Sequence, residues 1–143
     1  MPELVGVWKL NAFHAIAEED GQVLEYFGQK PKGRLIYTDS GYVQVAISRN
    51  EREKFTASII DASEMEKAQA FDSFDAYSGR YSFDPKLGQV QHHTDIDRMP
   101  NYEGTVKTRA VTFDGPNLIL TTVEAVSAFG KHWQLELKWE REV

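Results

Sequence analysis

The chain of 143 residues is long enough for one well-buried core but not for two, so we expect a single domain over residues 1–143. Its net charge of -6 argues against a nucleic-acid partner, because phosphate binding requires a basic face. No apolar run approaches the roughly 20 residues of a bilayer-spanning helix, and the start MPELVGVWKL lacks the features of a signal peptide, so we expect no membrane partner.

Short alternating runs recur along the chain and are separated by turn sequences such as EDG at 19–21, DSG at 39–41 and DGPN at 114–117. Hairpins at this spacing predict an antiparallel sheet. About eight or nine strands are expected, near residues 4–16, 22–27, 33–38, 41–48, 77–84, 88–97, 105–114, 117–126 and 131–141. Because closure removes exposed edges, we predict an all-β, up-and-down antiparallel barrel, with a two-sheet sandwich as the alternative.

Residues 63–76, SEMEKAQAFDSFDA, are the one segment with helical periodicity. Ser63 and Glu66 match a capping box. Apolar residues recur at helical spacing at Met65, Ala68, Phe71 and Phe74. The stripe predicts a helix that packs over an open end of the barrel, and a moving lid is the alternative.

Strand periodicity predicts which side chains face the interior, because neighbouring residues of a strand point to opposite faces. In the strand around Val90 the inward set is Val90, His92, Thr94 and Ile96, and the outward set is Gln91, His93, Asp95 and Asp97. The adjacent histidines therefore cannot bind one metal ion unless a bulge intervenes, and we expect no metal site. The last strand places Trp133, Leu135, Leu137 and Trp139 inward, with Arg141 in the same register.

The same parity places two cations, Lys107 and Arg109, inside the barrel together with Val111 and Phe113. A buried cation must meet a carboxylate, water near the barrel mouth or an anionic ligand. The alternative for Arg109 is a structural role, in which it caps carbonyls and stacks on tyrosines.

Two further sets of residues share a strand face. Tyr77, Gly79, Tyr81 and Phe83 could line a cavity, although such an aromatic stripe is also typical of a core. On the first strand, parity places His14 inward with Trp8, where it could be an ordinary core histidine.

Gly6-Val7-Trp8 resembles the Gly-x-Trp signature of lipocalins and other calycins, in which the tryptophan closes one barrel end and a distant basic residue packs on it. Arg141 is the matching basic residue. The series GRLIYTDSGYVQV, FDAYSGRYSFD, VQHHTDIDRMPNYEGT and LELKWER resembles the bacterial and fungal lipocalin-like domain family over essentially the entire chain. The chain departs from the family at Tyr102, where a tryptophan is common, and at Lys107, where a glutamine is common. The resemblance implies a small cytoplasmic barrel, and some relatives with calycin-type barrels act as cyclases or isomerases.

Two functions use the same interior. In the first, the barrel binds a small, partly apolar, anionic molecule through Arg109, Lys107, Tyr37, Tyr77, Tyr81, His92 and Trp139. In the second, a cofactor-independent enzyme of secondary metabolism uses His92 as general acid or base, Tyr81 as a donor to an oxyanion and Arg109 to stabilise its charge. A protein-interaction domain with a filled barrel is a third possibility.

Other chemistries lack their motifs, and we expect no cofactor. The sequence contains no phosphate-binding glycine loop, no Gly-x-Ser-x-Gly elbow and no His-Glu-x-x-His helix. With no cysteine, the chain has neither disulfides nor thiolate ligands, which suits a cytoplasmic location. The ligand and the oligomeric state stay open.

Overall fold

The fold is a closed antiparallel β-barrel, described by a computed structural model that covers residues 3–142. In chain order the elements are β1 Gly6–Ala17, β2 Val23–Glu25, β3 Lys32–Tyr37, β4 Tyr42–Ser48, α1 Glu64–Asp72, β5 Phe74–Asp84, β6 Gln89–Asp97, β7 Val106–Asp114, β8 Asn117–Thr122, β9 Val126–Ala128 and β10 Lys131–Arg141. A short 3₁₀ turn, Pro100–Tyr102, lies between β6 and β7.

Eight of the ten strands form the barrel. The sheet order is β2-β1-β3-β4-β5-β6-β7-β8-β10-β9, and pairing of β1 with β10 closes it. Each barrel strand is therefore paired with its predecessor and successor along the barrel, as an up-and-down topology requires. The predicted all-β barrel is confirmed, and the strand expected near residues 117–126 ends at Thr122, with the short β9 beginning at Val126.

One barrel end is closed by Trp8, and we call it the Trp8 end. The Arg141 guanidinium carbon lies 4.2 Å from the centre of the Trp8 ring, and its nitrogens donate to the carbonyls of Val5 and Glu3. Gly6 has φ +138, and a side chain there would collide with the guanidinium. The predicted contact of Trp8 with Arg141 is confirmed, and the glycine of the Gly-x-Trp signature is required both by backbone conformation and by space.

Two β-bulges change which residues face the interior. In β1 the register shifts between Leu10 and Ala12, so Phe13 is buried and the prediction that His14 points inward is wrong. In the β5–β6 pair, Gly79 is opposite Thr94 but Ser78 is opposite Ile96. The extra residue reverses the parity after Thr94, so that Ile96 is 66% exposed, contrary to expectation.

The helix α1 begins with the predicted capping box, in which Ser63 and Glu66 satisfy each other's backbone groups. It ends at Asp72 rather than Ala76, because the chain from Phe74 pairs with β4. None of residues 64–72 is buried, and Met65 is 70% exposed, so the apolar stripe does not pack on the barrel. Arg52 and Arg98 instead hold the last turn by donating to the carbonyls of Ala70 and Phe71.

Beyond the barrel, β1 and β10 continue as a small four-stranded arm flanked by β2 and β9. The arm has its own apolar cluster of Ala15, Ala17 and Trp133. The Trp133 indole donates to the Ala128 carbonyl at 2.8 Å, which fixes β9 against β10. No helix among residues 3–142 has the length and apolar character needed to span a bilayer.

Candidate functional site

The centre of the barrel contains a hydrogen-bonded chain of two tyrosines and one histidine. His92 is fully buried on β6, and its Nε2 lies 2.7 Å from the Tyr37 hydroxyl of β3. Its Nδ1 lies 2.7 Å from the Tyr77 hydroxyl of β5. Three strands thus bring together three of the predicted site residues, and both ring nitrogens of His92 have partners.

His92 is a neutral imidazole. Burial, together with the smaller effects of the positive charges of Arg109 and Lys107, lowers its pKa to about 3. A neutral ring has one donor and one acceptor nitrogen. Burial also raises the pKa of the Tyr37 and Tyr77 hydroxyls, so all three groups stay uncharged near neutral pH.

His92 points into the barrel as predicted, while His93 is exposed on the outer face of β6. Tyr37 pairs with Gly6 at the Trp8 end, whereas Lys107 follows Val106, the first residue of β7 at the opposite end. Within residues 3–142, no group of three or more His, Cys, Asp or Glu side chains could hold a metal ion.

Lys107 points inward as predicted, and it pairs with Asp97. The ammonium lies 2.8 Å from Asp97 Oδ2, with side-chain exposures of 11% and 0%. The other Asp97 oxygen accepts from the Met99 backbone at 2.8 Å. The ammonium also lies 3.9 Å from the centre of the Tyr77 ring and 4.6 Å from that of Tyr102.

Asp97 was predicted to face outward, and this is wrong because the β6 bulge turns it into the barrel. The signal for the bulge was Gly79, since a glycine within a strand often marks close backbone approach. A side chain at Gly79 would collide with the His93 carbonyl on the bulged strand. Gly79 on β5 therefore indicated the bulge in β6, and with it the inward position of Asp97, whose carboxylate neutralises Lys107.

Arg109, two residues further along β7, is the second inward cation and is half-buried. It is paired across the sheet with Val90 on β6 and Thr122 on β8. Its guanidinium donates to the carbonyl of its neighbour Thr108 at 3.0 Å. In the described part of the chain no acidic side chain forms an ion pair with it.

The remaining predicted residues, Tyr81 and Trp139, lie in the same core cluster. The Tyr81 hydroxyl donates to the Thr38 carbonyl at 2.9 Å, and its ring packs on Tyr37 with centroids 4.7 Å apart. Burial raises the pKa of Tyr81. Trp139 is 1% exposed, and its indole nitrogen has no hydrogen-bond partner among residues 3–142.

Two surface pockets in the described part of the chain lie outside this interior. One, of about 510 Å³, is formed by α1 and residues 49–55 and is lined by Arg49, Arg52 and Glu66. The other, of about 340 Å³, lies across β1, β3 and β4 near Lys9 and Phe74. Neither is lined by His92, Arg109 or Trp139, so the predicted interior cavity corresponds to neither pocket.

The comparisons with known proteins agree with the barrel fold. No curated protein matches the chain significantly. The model of a family described as a lipocalin-like domain matches residues 5–142, nearly the whole chain. Barrels of eight strands in lipocalins are wide enough to hold one small ligand. The chain therefore belongs to the lipocalin-like domain family, whose fold suggests small-molecule binding.

Proposed function

We propose that the barrel interior binds one small, partly apolar, anionic molecule, and that Arg109 is its polar anchor. The observation that carries the proposal is the half-buried guanidinium of Arg109, which no described carboxylate neutralises. A cation in a largely apolar interior is costly unless a partner compensates its desolvation. Lys107 has such a partner in Asp97, and Arg109 does not.

The chemistry around Arg109 supports an acid with an aromatic or aliphatic body. A guanidinium offers paired donors that match a carboxylate or an enolate. Tyr77 and Tyr81 contribute aromatic surface, and the Trp139 indole offers a buried donor with no described acceptor. Lys107 is a weaker candidate for direct contact, because its charge is already balanced.

The alternative is a cofactor-independent cyclase or isomerase that uses His92, Tyr81 and Arg109, and the site supports it less well. Both nitrogens of His92 already form hydrogen bonds, and a pKa of about 3 prevents the ring from taking up a second proton near neutral pH. The Tyr81 hydroxyl already donates to a carbonyl. The proposal also includes a cytoplasmic location, a single domain and the absence of a nucleic-acid partner.

The proposal is tested by native mass spectrometry of protein purified from its own host. We expect one acidic small molecule bound to the wild type and its loss in Arg109→Met, which preserves much of the side-chain volume. Arg80→Met is the matched control, because Arg80 packs on Tyr42 on the outer face, with its guanidinium carbon 4.4 Å from the ring centre. Wild-type protein without a bound molecule would instead favour a filled barrel that serves protein interaction.

Binding is then measured with two matched fluorescent probes. 8-Anilinonaphthalene-1-sulfonate carries an anionic group, and N-phenyl-1-naphthylamine is the same ring system without it. Arg109→Met should weaken the sulfonate by about 30-fold or more, from the cost of roughly 2 to 5 kcal/mol for removing one partner of a buried charge pair. The uncharged probe should bind both proteins equally, and an equal loss of both probes would reject Arg109 as an anion anchor.

A further inference from the structure

The Tyr37–His92–Tyr77 chain has one hydrogen more than its two hydrogen bonds can use. Each phenol carries one hydrogen and the neutral imidazole carries one, whereas the chain has two contacts, both of 2.7 Å. One tyrosine must donate to the ring and the other must accept from it. The accepting tyrosine then has a free O–H, and within residues 3–142 neither hydroxyl has another hydrogen-bond partner.

The charges around the chain distinguish its two ends. On the Tyr77 side, the Lys107 ammonium lies 3.9 Å from the ring centre, and Arg109 is the charge that lowers the pKa of the hydroxyl most. Tyr77 on β5 lies two strands from β7, which carries Arg109, whereas Tyr37 on β3 lies four strands from it, and the neighbour of the Tyr37 ring is Tyr81. An anion drawn to Arg109 would therefore meet the hydroxyl of Tyr77 before that of Tyr37.

We infer that the Tyr77 hydroxyl donates to the same anionic oxygen group that Arg109 binds, and that His92, protonated on Nδ1, holds Tyr77 in this donor orientation. Tyr37 then donates to Nε2 and acts through His92 as a positioning residue. This inference rests on the proposed interior ligand and narrows its class. The ligand presents an acceptor oxygen at this point, as a carboxylate, sulfonate or enolate does, and not an N–H or ammonium group.

The opposite arrangement has a cost that the structure identifies. If His92 carried its proton on Nε2, Tyr77 would donate to the ring and could only accept from a ligand. The free O–H would then belong to Tyr37, which is 1% exposed and surrounded by the aromatic core. A buried donor left without a partner is unfavourable. Protonation on Nδ1 avoids an unpaired O–H at Tyr37 and leaves the free O–H on Tyr77, where an anionic ligand can accept from it.

The tautomer is measured by NMR of protein labelled with ¹⁵N in its histidines, in the presence of saturating 8-anilinonaphthalene-1-sulfonate. His92→Gln assigns the His92 signals among the four histidines. We expect an Nδ1 signal typical of a protonated nitrogen and an Nε2 signal typical of an acceptor. Protonation on Nε2 in the presence of the sulfonate would overturn the inference.

The hydroxyl is tested by Tyr77→Phe, with Tyr42→Phe as the matched control on the outer face, where the hydroxyl accepts only from Arg80. Loss of one hydrogen bond to a charged group predicts about 10-fold weaker binding of the sulfonate probe in Tyr77→Phe. Binding of N-phenyl-1-naphthylamine should be unchanged in both variants. A purely structural role for Tyr77 would weaken the two probes together.

The outcomes separate this inference from the proposed function. If Arg109→Met weakens the sulfonate and Tyr77→Phe does not, the anion site stands and the role of Tyr77 is rejected. If Arg109→Met and Tyr77→Phe leave the affinity for the sulfonate unchanged and Arg52→Met lowers it, the sulfonate binds in the outer pocket beside α1. The proposed function and this inference are then both rejected. Should Tyr77→Phe fail to fold, the NMR measurement on the wild type decides alone.

Discussion

Replacing Asp97 with asparagine should be among the most destabilising single-atom changes in this protein. The substitution keeps the shape of the side chain and removes the charge that balances Lys107. That ammonium would stay in the barrel with an exposure of 11%, together with Arg109 and with only aromatic rings and a neutral amide as neighbours. Removing one partner of a buried ion pair costs about 3 to 5 kcal/mol, which is a large fraction of the stability of a domain of this size.

The cost is measured by urea denaturation and by the shift in melting temperature. At roughly 3 to 4 °C per kcal/mol for a chain of this length, we expect a decrease of about 10 to 20 °C. Asp95→Asn is the control, because Asp95 is the exposed residue at the bulge, two positions away, and should change stability by less than about 0.5 kcal/mol.

A double variant tests whether the two charges are coupled. Adding Lys107→Met to Asp97→Asn removes the unpaired cation and should restore most of the lost stability, because apolar replacements of buried pairs are often neutral. If Asp97→Asn costs no more than Asp95→Asn, then Asp97 does not point into the barrel, and the argument from the bulge fails.

Three further variants test other parts of the molecule. Arg141→Ala should lower the free energy of unfolding, measured by urea denaturation, by about 0.5 to 2 kcal/mol, because the contact with Trp8 is lost. Arg80→Ala on the outer face is the control, and an equal or larger loss in that variant would count against a stabilising contact of Arg141 with Trp8. Gly79→Ala should lower the free energy of unfolding by more than about 1 kcal/mol and shift the backbone NMR signals around His93, since the new side chain would collide with the His93 carbonyl. If the variant is as stable as the wild type, the bulge is not formed as described. In the folded state the pKa of His92 is about 3, whereas its ordinary value is 6.5. As the pH falls, His92 therefore takes up a proton in the unfolded chain before it does so in the folded one. Its contribution to the free energy of unfolding is complete above about pH 6.5 and is lost toward pH 3. Between pH 7 and pH 5 the wild type should therefore lose about 2 kcal/mol more than His92→Gln, and parallel pH profiles of the two proteins would contradict the buried neutral ring.

The barrel and many of its inward residues could be predicted, because a side-chain period of two is visible in the sequence wherever a strand is regular. The alternation of β10 and the opposite directions of His92 and His93 were predicted for this reason. Prediction failed after each bulge, at His14 and at Asp97, because one inserted residue reverses every later position and leaves the composition unchanged.

The candidate site was predictable only in part, since strand parity gives a direction and no distance. It placed Tyr77, His92 and Arg109 in one interior, but it could not show that two hydroxyls occupy both nitrogens of the imidazole. The helix is the converse case. Its capping box was sufficient to predict where it begins, whereas its apolar spacing predicted a packing face that Met65 and its neighbours do not form.

Pairing of β1 with β10 has a consequence for how the chain folds. The strands that close the barrel are joined through contacts such as that of Arg141 with the Val5 carbonyl, 136 positions away in the sequence. Each earlier hairpin can form locally, but closure must overcome the entropy of a loop that spans almost the whole chain. Folding should therefore be slow, with barrel closure late and open sheet edges exposed until then. During that interval β1 and β10 offer unpaired backbone groups to other molecules of the same chain, so aggregation on refolding should increase with protein concentration and decrease once the two strands have met.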